Sequence, residues 1–199
     1  MSLSGRSPSP TDAVSGEDPP RWTWLPHPHG EPAQPCARAW LAEQLGDTAL
    51  SVSRDARQRP YLDAPYGDYD CNWSHSGDRL LVALAHRAQV GVDLERLHQR
   101  PRAVEIAQRY FTVGEARWLA AREDRDLAFL RLWCAKEAVL KAHGHGLSYG
   151  LDKLRFEERG EALALVECDP GLGTPEQWRF REIEPAPGYL GALAWRPWG

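Results

Sequence analysis

The feature that most constrains this chain is a double switch in its apolar rhythm. Short runs that alternate apolar and polar residues occupy 50–53, 71–74, 80–84 and 90–95. Over 103–143, apolar residues instead recur at helical spacing in a stretch rich in Ala, Leu, Arg and Glu, and alternating runs return at 154–156, 163–166, 178–183 and 189–195. A period near two sends successive side chains to opposite faces of a strand, whereas a period near 3.6 gathers them on one side of a helix. An earlier helix is expected over 37–45, where Ala37, Trp40, Leu41 and Leu45 share a face and Gly46 ends it. The order helix, strands, helices, strands is not that of alternating βαβ units. It predicts an α+β fold of two similar halves, each with helices packed on a small antiparallel sheet, related by a pseudo-twofold axis.

The halves are expected at 21–100 and 101–199, as one compact unit with the site in the cleft between them. A flexible Pro/Ser-rich arm, 1–20, would precede them, because the first 35 residues hold eight of the sixteen prolines and such a composition favours extended backbone over a packed core. Trp22, Trp24 and Leu25 are expected to dock on the folded body. A net charge of −4 gives no field for tight nonspecific binding to nucleic acid or an anionic membrane. No apolar run approaches the roughly 18 residues of a membrane span, and the first twenty residues lack the basic end and apolar stretch of a signal peptide. A cytoplasmic protein is expected. The four cysteines form no CxxC pair and have no histidine at zinc-finger spacing, so they read as ordinary thiols.

Three segments carry chemistry. In Gly91-Val-Asp-Leu-Glu95, strand alternation buries Val92 and Leu94 and projects Asp93 and Glu95 together on the other face. Two close carboxylates repel unless a cation sits between them, and magnesium is usually held by one or two carboxylates plus water and substrate phosphate. An amphipathic strand with a solvated acidic face fits the same pattern. In Trp133-Cys-Ala-Lys-Glu-Ala-Val-Leu-Lys-Ala-His-Gly144, Glu137 and Lys141 share a helix face, as an ordinary surface ion pair would. Of the 24 basic residues, however, 21 are arginine, and two of the three lysines are Lys136 and Lys141. That concentration points to a site where a compact ammonium is needed and a planar guanidinium does not fit. In Asn72-Trp-Ser-His-Ser-Gly77, Ser74 and His75 offer donors to a phosphate, as does Arg59 upstream.

Together these segments resemble the 4′-phosphopantetheinyl transferases, in particular the larger surfactin-synthetase-activating type with two similar halves in one chain. The resemblance rests on GVDLE at 91–95, WCAKEAVLKAHG at 133–144, NWSHS at 72–76, RP at 59–60 and AQRYF at 107–111, in the family's order across about 37–155. It implies magnesium-dependent (or manganese-dependent) transfer of the phosphopantetheine arm of coenzyme A to a serine of an apo acyl or peptidyl carrier protein, by a monomer, releasing adenosine 3′,5′-bisphosphate. Asp93, Glu95 and Glu137 would bind the metal. Lys141 and Lys136 would face the phosphates, and Ser74, His75 and Arg59 would hold the 3′-phosphate and adenine side. Glu137, or a metal-bound water it orients, would be the general base. Arg102, Arg109 and Arg117, with apolar neighbours such as Phe111, would dock the acidic carrier. The chain departs from the family upstream of its first helix, where the usual lysine pair is missing; Arg21 and Arg38 are the available substitutes. Two other readings use the same residues: a metal-dependent phosphodiester or pyrophosphate hydrolase, and a non-catalytic relative that binds coenzyme A or a carrier.

Overall fold

The structure, a computed structural model, describes residues 18–198; residues 1–17 of the expected arm lie outside the described residues. Alternation settles its layers. Every residue from Leu80 to Ala85 is buried, a run apolar on both faces and suited only to a strand covered on both sides. This strand, β5 (Arg79–His86), is the middle of an antiparallel sheet between β1 (Arg21–Pro26) and β4 (Tyr69–Ser76). Its Leu80, Val82 and Leu84 pack under α1 (Ala33–Leu45) through Ala37 and Leu41. Its Leu81, Ala83 and Ala85 turn the other way, against Val90, Val92 and Leu94 of β6 (Ala88–Arg96).

β6 is the edge of a second antiparallel sheet, completed by β9 (Arg179–Ile183) and the central β10 (Tyr189–Pro197). Leu193 and Trp195 of β10 join the core between the sheets, while Leu190, Ala192 and Ala194 face the helical layer of α2 (Ala103–Tyr110), α3 (Val113–Ala120) and α4 (Arg125–His143). The order through the molecule is α1, first sheet, second sheet, helices, which is the expected α+β class. Short hairpins, β2 (Val52–Arg54) with β3 (Pro60–Leu62) and β7 (Leu154–Arg159) with β8 (Ala162–Cys168), flank the layers.

The two halves repeat one element order: a strand, helix, a hairpin, then two strands, with each sheet ordered first, third, second strand. By sheet membership β6 goes with β9 and β10, and Arg87, just before it, turns the chain with φ of 50°. Trp22, Trp24 and Leu25 do more than dock: they lie in β1, paired along its length with β5. No helix among the described residues is long and apolar enough to cross a membrane.

The sheets meet where β4 runs parallel to β6 without a shared backbone ladder. Side chains from one face of β4 join them instead: Asp70 Oδ2 accepts from Val90 N at 2.7 Å and Asn72 Oδ1 from Val92 N at 3.1 Å, while Ser76 Oγ accepts from Arg96 N at 3.1 Å. Each such bond is worth on the order of 1 kcal/mol net, and more if one buried partner is left unmatched.

Candidate active site

The β4–β6 seam and α4 bound one cleft. Gly91, Asp93 and Glu95 share the face of β6 opposite Val92 and Leu94, and that face is pressed on α4: a Cβ at Gly91 would collide with Ala138 O and Ala142 N. Only glycine permits this approach, and it brings the acidic strand against the helix that carries Glu137 and Lys141. Twelve of the nineteen α4 residues are buried, so this helix runs through the core and its charged side chains need partners.

Asp93, 4% exposed, accepts from Ser74 Oγ at 2.8 Å and Lys141 Nζ at 2.6 Å, both on Oδ1; its Oδ2 is buried without a partner. Glu95 Oε2 accepts from Arg100 Nη2 at 2.9 Å and Ser76 Oγ at 3.3 Å. Burial, then the neighbouring Asp93 charge, pushes the Glu95 carboxyl up, against the pull of Arg100. Glu137, 5% exposed, has a buried Oε1 with no partner. Its pKa is pushed up to about 7, chiefly by burial, with Asp93 and Glu95 adding to the rise and Lys141 opposing it. The three carboxyls thus lie within electrostatic reach of one another. Burial alone would lower the Lys141 ammonium, but Asp93 and Glu137 outweigh it and hold its pKa above the ordinary lysine value. Among the described residues no three His, Cys, Asp or Glu side chains form a ready-made metal cage. Two buried carboxylate oxygens without donors nevertheless match the chemistry of a hard cation that takes its remaining ligands from substrate and water.

Lys141 also lines two adjoining cavities. One, about 570 Å³, has Ser74, His75, Trp73, Arg54 and Glu31 on its walls. The other, about 200 Å³, adds Arg57, Arg59 and His145. His75 is exposed, edge-on to His27 at 5.2 Å; partial burial, then His27 and Lys141, lower its pKa.

Four expected assignments change. Ser74, expected at the 3′-phosphate, gives its one O–H to Asp93 and accepts from Lys141, so it has no donor left for a phosphate. Lys136 does not face the cleft. It is fully buried, its Nζ bonded to Leu151 O at 2.8 Å, Leu154 O at 2.5 Å and Glu115 Oε2 at 2.8 Å, so all three ammonium donors are filled inside the C-terminal half. Arg59 borders the smaller cavity, but its five N–H groups go to Asp70 (both oxygens), Pro60 O, Val90 O and Lys141 O. It braces β3 to β4, β6 and α4 and has no donor left for a phosphate. Phe111 is buried and stacks on Phe129 at 5.6 Å; the exposed ring there is Tyr110, beneath the Arg109 guanidinium at 5.2 Å. The substitutes for the missing lysine pair are also engaged elsewhere, Arg21 with Gln44 O and Arg38 with Leu50 O. Sequence reasoning missed Asp70, the tie of Ser76 to Glu95 and Arg96, and the pairing of Arg100 with Glu95. The first two were marked by polar residues at every second position from Asp70 to Ser76. The third lies in a loop and carries no periodic signal.

A family model described as the 4′-phosphopantetheinyl transferase superfamily matches residues 89–194. The 4′-phosphopantetheinyl transferase HetI of Nostoc sp. is 31% identical over 172 residues, covering 80% of this chain and 69% of its own. The 4′-phosphopantetheinyl transferase Sfp of Bacillus subtilis is 30% identical over 153 residues, covering 75% and 65%. The solved structure of Thermotoga maritima holo-acyl-carrier-protein synthase aligns with 56% of this chain and 64% of its own, at 21% identity and a TM-score of 0.47. The chain spans about half the length of several of the curated relatives it matches.

Proposed function

The chain belongs to the 4′-phosphopantetheinyl transferase superfamily, and from that premise we propose that it moves the 4′-phosphopantetheine arm of coenzyme A to a serine of an apo acyl or peptidyl carrier protein. In that reaction the serine oxygen bonds to the phosphorus nearer the pantetheine, the pyrophosphate P–O bond breaks, and adenosine 3′,5′-bisphosphate leaves. The observation that carries this reading is the buried acidic group on β6 and α4, with open oxygens on Asp93 and Glu137 beside the Lys141 ammonium.

Asp93, Glu95 and Glu137 would hold Mg²⁺, or Mn²⁺ in its place, which when bound supplies positive charge to the pyrophosphate oxygens. Lys141 spends two donors on Asp93 and Ser74 and has a third for a phosphate oxygen. Glu137 would also take the proton from the serine, directly or through a water it orients. Ser74 fixes Asp93, and His75 faces the larger cavity, suited to the 3′-phosphate side of the nucleotide. Arg102, Arg109 and Arg117, all exposed, would meet an acidic carrier together with the exposed Tyr110. Both halves of the cleft come from one chain, which supports a monomer. The four thiols, all free, suit a reducing cytoplasm.

Incubation with coenzyme A, Mg²⁺ and an apo carrier, followed by weighing the carrier, tests the reading. The carrier should gain the arm, and Glu137→Gln should slow this about 10³-fold, as expected for loss of several kcal/mol of charge stabilisation. Carriers left unmodified while free phosphopantetheine accumulates would replace transfer with hydrolysis. Metal-independent binding of coenzyme A without any product would leave a non-catalytic binder.

A further inference from the structure

Two of the three cleft carboxylates already hold cations that belong to the chain. Asp93 Oδ1 takes Lys141 Nζ at 2.6 Å and Glu95 Oε2 takes Arg100 Nη2 at 2.9 Å. The two cations are held differently. Lys141 rises from the buried helix α4 and also donates to Ser74 Oγ on β4, so two elements fix it. Arg100 stands on the loop between β6 and α2 with its side chain 30% exposed. Among the described residues its guanidinium bonds to Glu95 alone, and its Nε is buried without a partner. It lines a cavity of about 510 Å³ that reaches Glu95 and is walled by Ile106, Arg109, Phe129 and Trp133. Arg59, with all five donors filled, is a brace. Arg100 has one exchangeable partner, an unused donor and open space beside it.

We infer that Arg100 is the removable counter-ion of Glu95. In the unloaded protein it neutralises that carboxylate; when a divalent cation takes Glu95, Arg100 turns its fork to the pyrophosphate oxygens of the nucleotide substrate. The inference rests on the transfer reading above. Its consequence is coupled binding. With Glu95 given over to a cation alone, Arg100 would be left as a half-buried, unpaired guanidinium, which is costly. With a pyrophosphate present as well, Arg100 would gain a new anionic partner. Linkage makes the effect reciprocal, so coenzyme A tightens cation binding by the factor by which the cation tightens coenzyme A.

Paramagnetic resonance of free Mn²⁺, titrated into the whole chain with and without coenzyme A, reads this without turnover. In the unaltered protein coenzyme A should tighten Mn²⁺ at least about tenfold, within the usual range of coupling. Arg100→Gln should bind Mn²⁺ alone about tenfold more tightly and keep less than about threefold of the coupling, with Arg100→Lys in between. Melting curves establish that each variant is folded, and Arg100→Lys carries the test should the glutamine variant fail to fold. A folded Arg100→Gln with unchanged Mn²⁺ affinity and intact coupling overturns the role of Arg100 and leaves the transfer reading standing. Absence of Mn²⁺ binding to the unaltered protein, even with coenzyme A, overturns both.

Discussion

Along α4 the Lys136 side chain runs toward α3 and the start of β7, whereas the Lys141 side chain runs toward β4 and β6. The first ends where three acceptors were already waiting: a glutamate that caps α3 through Thr112 and two carbonyls. Burial lowers its pKa and Glu115 opposes that fall. The second ends at two acceptors and a cavity. An ammonium whose donors are all spent holds parts of a protein together, while one with a donor to spare can hold something else. Scarcity of lysine flagged both positions, and the count of filled donors separates them.

Substituting the two lysines separates them most strongly. Lys141→Ala should slow carrier modification by about 10²–10³-fold, as for loss of a preorganised charge donor, and should also lower the urea midpoint, because it leaves the buried Asp93 without its cation. Lys136→Ala should lower stability alone, costing about 3–5 kcal/mol because the Glu115 charge is left buried and unpaired, while molecules that remain folded turn over normally. A stable Lys136→Ala with a slow rate would break the contrast.

A smaller effect probes the Lys141 side by pH. In protein stripped of metal, Glu137 titrates near 7 instead of at its ordinary value of about 4.3. The stability gained by keeping it neutral is fully present below that ordinary value and is lost as pH rises through 7, on the order of 3 kcal/mol in all. The melting temperature should fall across that window, and Glu137→Gln should flatten the fall; an undiminished slope in the variant would assign it to another group. Smallest of all, Arg59→Lys keeps the charge and loses the fork on Asp70. It should cost about 1–2 kcal/mol in a denaturant melt and leave the KM for coenzyme A within about twofold; a large rise in KM would return Arg59 to the nucleotide.

Local rhythm carried most of the fold. The alternation of Val92 and Leu94 with Asp93 and Glu95 placed the acidic face, and the glycines after His143 ended α4 where the left-handed Gly144 caps it. β3 has three residues, too few for a period to register. The misplaced residues share a cause, since their partners lie far along the chain: Glu115 for Lys136, Val90 and Lys141 for Arg59, Phe129 for Phe111. One sign was nevertheless local. On a helix of about 3.6 residues per turn, positions 136 and 141 point about 140° apart, whereas 137 and 141 nearly coincide. The helical wheel alone puts Glu137 and Lys141 in one group and Lys136 outside it.

Because β4 and β6 share no ladder, their alignment is spelled out by Asp70, Asn72, Ser74 and Ser76 and not imposed by backbone geometry. Exchanging one of these letters removes a tie between the sheets that no ladder replaces, whereas the pairing within each sheet rests on its own backbone. The spacing of the charged groups across the joint is therefore held by side chains, one hydrogen bond at a time.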